Sequence, residues 1–117
     1  MSSVETVIWH NPRCSKSRQT LSLLQERGID PRVVDYQKTP PSAAELTRVI
    51  AALGCTAHDI LRTKETLYRD LGLGPDTAAD HLIAAMVAHP KLIERPIVIH
   101  GTRAAIGRPP EQVLDLF

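Results

Sequence analysis

Hydrophobic positions change their spacing along the chain in a way that separates strands from helices. Residues 4–9, Val-Glu-Thr-Val-Ile-Trp, are rich in β-branched side chains and stop at the turn dipeptide Asn11-Pro12, which predicts a first strand. From 15 to 27, Leu21 and Leu24 share a helical face and Gly28 follows as a natural stop, which predicts a helix. Residues 32–36, Arg-Val-Val-Asp-Tyr, predict a second short strand. Two strands separated by a helix of this length form a βαβ unit, with parallel pairing and a right-handed crossover.

The middle of the chain is helical. Ser42 and Glu45 have the spacing of a capping box, and Leu46, Val49, Ile50 and Leu53 follow as one apolar stripe that Gly54 closes. Residues 56–71 carry a short helical pattern with Gly72 and Gly74 as breakers. Thr77 and Asp80 resemble a second capping box ahead of Leu82, Ile83, Met86 and Val87, and Pro90 stops that run. Residues 96–100 and 103–106 then predict a hairpin around Gly101-Thr102. Pro110 at a first helical position, with Val113, Leu114 and Phe117 on one face, predicts a short last helix. The order is βαβ, helical insertion, ββα, which is that of the thioredoxin and glutaredoxin fold: an α/β chain with a mixed four-stranded sheet.

Length and composition narrow the setting. A chain of 117 residues is shorter than a typical domain of about 150, so a single domain over 1–117 is expected, with the helical insertion at about 42–90. Two cysteines, Cys14 and Cys55, are too few for a disulfide scaffold, and a reducing cytoplasm is the expected compartment. The longest apolar run, residues 82–88, is far below the ~18 residues of a membrane span, and the N-terminus lacks the pattern of a signal peptide. A net charge of +1 and four aromatic residues argue against a protein that grips nucleic acid.

That near-neutral total conceals one electropositive segment. No acidic residue lies between Glu5 and Glu26, whereas Arg13, Lys16 and Arg18 do, and Cys14 sits among them where the first strand turns into the first helix. Amides of a first helical turn and nearby cations lower a thiol pKa, so Cys14 is expected to be a nucleophilic thiolate. A Cys-x5-Arg phosphatase loop would need arginine where Thr20 stands, and a Cys-x-x-Cys redox pair would need cysteine where Ser17 stands. Any disulfide formed by Cys14 therefore involves a distant or external thiol. The Ser17 hydroxyl is within sequence reach of hydrogen-bonding the thiolate, and His10, four residues before Cys14, of tuning it.

The fragments at 10–18 (His-Asn-Pro-Arg-Cys-Ser-Lys-Ser-Arg), Leu61-Arg62, 94–97 (Glu-Arg-Pro-Ile) and 107–109 (Gly-Arg-Pro) together resemble the glutaredoxin-coupled arsenate reductase family, over nearly the whole chain. The chain looks like the compact branch of that family, stopping at Phe117 where longer members continue. The resemblance implies that Cys14 attacks the arsenic of arsenate, that Arg62, Arg95 and Arg108 bind the oxyanion, and that His10 helps to lower the Cys14 pKa. Guanidinium forks suit a tetrahedral anion carrying charge on several oxygens. It further implies glutathione as co-substrate, glutaredoxin as partner, no bound cofactor or metal, and a cis peptide before Pro96 tying Arg95 to the site. A glutathione-linked thiol oxidoreductase with another substrate is the second expectation. A redox-responsive regulator of RNA polymerase shares the fold family but carries Cys-x-x-Cys, and is the third. Cys55 reads as a small hydrophobe, and His58, His81, His89 and His100 lack metal spacing and receive no role.

Overall fold

A computed structural model describes residues 5–117. Four strands, β1 (Thr6–His10), β2 (Arg32–Asp35), β3 (Ile97–His100) and β4 (Arg103–Ile106), form one sheet in the order β2-β1-β3-β4. β1 and β2 are parallel, while β1 with β3 and β3 with β4 are antiparallel, giving the mixed sheet expected from the element order. Val4, expected in the first strand, lies outside the described residues, and β1 runs one residue further than expected, through His10.

The chain divides into two compact units. The first comprises the chain up to Thr39 together with Arg95–Phe117, and the second comprises Pro40–Glu94. In the first unit, helix α1 (Ser15–Glu26) makes the crossover between the parallel strands. Gly28 ends it at φ +76, a backbone conformation that glycine adopts without steric cost. Ile8 and Val98 are register partners on one face of the sheet, and they pack with Leu24 of α1 and with Val113 and Leu116 as the core of this unit.

The last element differs from expectation in its pitch. Pro110–Leu116 is a 3-10 helix, so three residues per turn put Pro110, Val113 and Leu116 on one buried face. Phe117, expected on that face, is instead 49% exposed and lies against His100 with ring centroids 4.6 Å apart.

The second unit is helical. Helix α2 (Ala43–Leu53) opens with the expected capping box: Ser42 Oγ accepts from the Glu45 amide at 3.1 Å, and Glu45 Oε1 accepts from the Ser42 amide at 3.4 Å. Leu46, Val49 and Ile50 are its buried stripe, and Gly54 closes it in the left-handed region. The stretch expected to be helical at 56–71 is broken into a 3-10 turn (His58–Ile60), an isolated bridge from Leu61 to Ile93, and a five-residue helix α3 (Thr66–Asp70). Helix α4 (Ala79–Ala88) buries Leu82 and Met86 and packs against α2. It lacks the second capping box, because Thr77 Oγ1 accepts from the Gly74 amide at 2.9 Å and closes the preceding turn instead. Among the described residues, no helix is long and apolar enough to cross a membrane.

Candidate active site

The site forms where the chain leaves the C-terminal end of β1. A tight turn is stitched by one side chain: Asn11 Oδ1 accepts from the Arg13 amide at 3.0 Å, and the Asn11 carbonyl accepts from the Cys14 amide at 3.0 Å. Such Asx turns let a short polar side chain replace a backbone partner. The turn leaves Cys14 as the N-cap of α1 in an extended conformation, so its sulfur faces the unpaired amides of the first helical turn. The backbone amides of Ser17 and Lys16 act on it, favouring the thiolate.

The Ser17 side chain acts elsewhere. It is fully buried, its Oγ accepts from the Asn11 amide at 2.9 Å, and it shares a 2.6 Å hydrogen bond with His10 Nδ1. Ser17 thus reaches the sulfur through its main chain, and its hydroxyl locks the strand, the turn and the helix together. Burial keeps the His10 pKa below its ordinary value, with Asp35 opposing and Arg18 reinforcing that shift.

Two arginines from the far end of the sequence meet Cys14. The register places Ile97 opposite Trp9, so Arg95-Pro96, joined by a cis peptide, arrives at the same end of the sheet as the Cys14 turn. Arg95 interacts electrostatically with Cys14 and Tyr36, and Arg108 Nη2 lies 3.6 Å from Cys14 Sγ. Arg108 Nε also donates to the Arg95 carbonyl at 2.7 Å, which couples the two residues. Burial pushes the Cys14 thiol up, but the Ser17 amide, the charge of Arg95 and the Lys16 amide outweigh it and hold the thiol below its ordinary pKa. Burial likewise works against the Arg95 charge, but Cys14 and Tyr36 raise its pKa, so it stays protonated. The local cations Arg13, Lys16 and Arg18 are exposed; the charge of Arg95 lowers the thiol pKa, and the Arg108 guanidinium lies against the sulfur.

Arg62 belongs to the second unit. Its guanidinium is held by Glu94 at 3.2 Å and Glu65 at 3.4 Å, and its amide donates to the Leu92 carbonyl at 2.8 Å. Cys55 is in the same unit, where burial and then Asp59 raise its pKa, opposite in direction to Cys14.

The model of the ArsC family matches residues 9–116. This chain belongs to the ArsC family. It is 52% identical over 111 residues to the uncharacterized protein YfgD of Escherichia coli, covering 93% of each chain. It is 50% identical to an arsenate reductase of Neisseria meningitidis serogroup A, covering 93% of this chain and 95% of that protein. The structure of an arsenate reductase from Vibrio cholerae superimposes with a TM-score of 0.94 at 49% identity, covering 99% of this chain and all of that one.

Within this ArsC-family chain, three residues matter that sequence reasoning left unassigned. Asn11 was legible only as a turn former, although its side chain and main chain shape the turn that carries Cys14. Gly107 brings the strand before Arg108 into close approach: a Cβ there would lie 2.5 Å from Thr20 Oγ1 and 2.8 Å from Pro96 Cγ. Tyr36, the residue after β2, is fully buried beside Arg95. No sequence signal distinguished it from an ordinary core aromatic. His58 is tied to Tyr68 by a 2.9 Å hydrogen bond, and among the described residues no cluster of three or more His, Cys, Asp or Glu side chains is arranged to hold a metal.

Proposed function

We propose that this protein reduces arsenate to arsenite through a covalent adduct on Cys14, with glutathione and glutaredoxin supplying the electrons. The observation that carries this reading is the thiol of lowered pKa beside the Arg95 and Arg108 guanidinium groups, a nucleophile and an anion cradle in one place. Arginine forks and helix amides bind tetrahedral oxyanions, so the site draws in the anion that the thiolate then attacks. Relatives of about 50% identity that bear the name arsenate reductase support the choice of substrate.

In the first step the Cys14 sulfur forms a bond to As(V) and one arsenate oxygen leaves as water. Glutathione thiolate next attacks the Cys14 sulfur. A disulfide forms, the electron pair of the sulfur–arsenic bond stays on arsenic, and arsenic departs as As(III) in arsenite with the glutathione proton on oxygen. A glutaredoxin thiol then takes the glutathionyl group and returns Cys14 as thiolate. Arg95 and Arg108 are the oxyanion ligands in this reading, with Arg62 as the third. His10 and Ser17 hold the turn whose amides face the sulfur. An external reductant accords with Ser17 standing where a Cys-x-x-Cys pair would have its second thiol.

The test is arsenate-dependent NADPH oxidation with the protein, glutathione, glutaredoxin and glutathione reductase, run beside Cys14→Ser. Activity that vanishes in the variant supports the whole reading. An inactive wild-type protein whose Cys14 alkylates rapidly at neutral pH would overturn the substrate while leaving the nucleophile.

A further inference from the structure

Thr20 is fully buried in the middle of α1. Its hydroxyl donates to the Lys16 carbonyl at 2.8 Å, one turn back, so the buried proton is satisfied within the helix. A β-branched side chain in a helix has few rotamers, and this bond holds one of them. The Oγ1 and Cγ2 atoms of Thr20 therefore form a fixed surface on the helix that begins at Cys14.

Gly107 lies against that surface. A Cβ at Gly107 would come within 2.5 Å of Thr20 Oγ1 and 3.0 Å of Thr20 Cγ2, while the φ of Gly107 lies outside the left-handed region. Its missing side chain thus serves close approach to the helix. The Gly107 amide donates to the Pro96 carbonyl at 2.9 Å, and the next residue, Arg108, places Nη2 3.6 Å from Cys14 Sγ. The segment that brings this guanidinium to the sulfur is therefore seated on the sulfur's own helix, six residues beyond Cys14. That is about 9 Å along the helix axis.

We propose that Thr20 is a positioning residue: the bulk of its side chain, set against Gly107, fixes how closely the Arg108 guanidinium approaches the Cys14 sulfur. It acts through the one-residue step from Gly107 to Arg108. A larger side chain at this position lifts Gly107 off the helix and draws the guanidinium away with it. Attraction between charges weakens with distance, so the sulfur then draws anions less strongly. The inference rests on the thiol-and-arginine site of the proposed function but not on arsenate as the substrate, and its test uses no arsenate.

Cys14 alkylation is followed by mass spectrometry with iodoacetate, an anion, and with iodoacetamide, its neutral analogue, at one pH and low ionic strength. The ratio of the two rates reads the positive charge at the sulfur, whereas a change in thiolate fraction or in stability scales both rates alike. Thr20→Ile is expected to lower the ratio roughly threefold or more, and to lower it no further in an Arg108→Gln background. Thr20→Val, close to threonine in shape, should keep the wild-type ratio. An unchanged ratio in Thr20→Ile, an equal fall in the Arg108→Gln background, or a Thr20→Val ratio as low as that of Thr20→Ile would overturn the proposal. A wild-type Cys14 that neither reagent alkylates would overturn the thiolate of the proposed function, and this inference with it. A measurement on the unaltered protein guards against a variant that fails to fold. A nuclear Overhauser contact between the Thr20 methyl and the Gly107 Hα protons is expected, and its absence would also overturn the proposal.

Discussion

Arg108 and Cys14 are 94 residues apart in sequence, yet Arg108 Nη2 lies 3.6 Å from Cys14 Sγ while Nε of the same guanidinium holds the Arg95 carbonyl at 2.7 Å. One planar fork thus meets the Cys14 sulfur and the main chain of the second arginine together. Lysine carries its donors on one nitrogen and lacks the planar fork that reaches the two partners from separate nitrogens in fixed geometry. Arg108→Lys is accordingly expected to lower kcat/KM for arsenate roughly tenfold despite keeping the charge, the scale of one charge-assisted hydrogen bond. Steady-state kinetics of the lysine variant at near wild-type rates would remove the fork from the account.

The two cysteines titrate in opposite directions. Cys14 is held below its ordinary pKa, its burial being outweighed by the Ser17 amide and Arg95, whereas burial and Asp59 raise Cys55. A lowered pKa keeps Cys14 ionised as pH falls below the ordinary thiol value of about 8.5, so Cys14 should alkylate under conditions where Cys55 is inert. Arg95→Ala should move the Cys14 titration to higher pH and leave that of Cys55 in place. Peptide mapping after alkylation at a series of pH values reads both thiols at once. Two thiols titrating together would refute the assignment.

His10 links the site to stability. Its folded pKa is depressed by burial, so between the folded and unfolded values the unfolded chain binds a proton that the native chain does not. The neutral imidazole's contribution is complete above the unfolded value of about 6.5 and is lost as pH falls through the folded one. Thermal unfolding of wild type should therefore weaken more steeply below about pH 6.5 than that of His10→Gln. Parallel curves for the two proteins would show that His10 is not the group involved.

Gly107 is a packing constraint rather than a turn residue. A Cβ at this position would lie 2.5 Å from Thr20 Oγ1, 3.0 Å from Thr20 Cγ2 and 2.8 Å from Pro96 Cγ. Gly107→Ala should destabilise by about 1–3 kcal/mol, the usual range for overpacking, and displace the adjacent Arg108. Thr20→Ala in the same chain should restore part of the loss, because two of the three close atoms are then gone. A Gly107→Ala protein with an unaltered melting temperature would contradict the close approach.

Arg62 is neutralised by Glu65 and Glu94 in its own unit. If it serves the oxyanion, the anion competes with those carboxylates. Glu65→Gln, which removes one of them, should lower KM for arsenate, and Arg62→Ala should raise it. Unchanged KM in both variants would leave Arg62 as a structural clasp.

Local chemistry was legible where partners close in sequence had no nearer competitor. The Ser42–Glu45 capping box formed as its spacing dictated, because both partners lie within one helical turn. The matching pattern at Thr77 and Asp80 did not, because the Thr77 hydroxyl found the Gly74 amide first. The pitch of the last helix was equally hidden: whether Val113 is joined on its face by Leu116 or by Phe117 is a choice between three and four residues per turn, and packing on the core of the first unit decides it.

From the sequence alone come the βαβ start, the hairpin, the helix behind Cys14 and the place of its thiol at that helix's start, because a strand, a turn and a helix N-terminus within a few residues place a sulfur among backbone amides wherever they occur. Only the tertiary structure decided which cations act on that sulfur. Neighbours in the chain, Arg13, Lys16 and Arg18, are exposed on the surface, while Arg95 and Arg108 come to Cys14 because the register of β1 with β3 and the Gly107 contact deliver them. Sheet pairing joins distant parts of the chain across the fold, and Arg95 and Arg108 lie just outside the strands, where no periodic spacing relates them to Cys14.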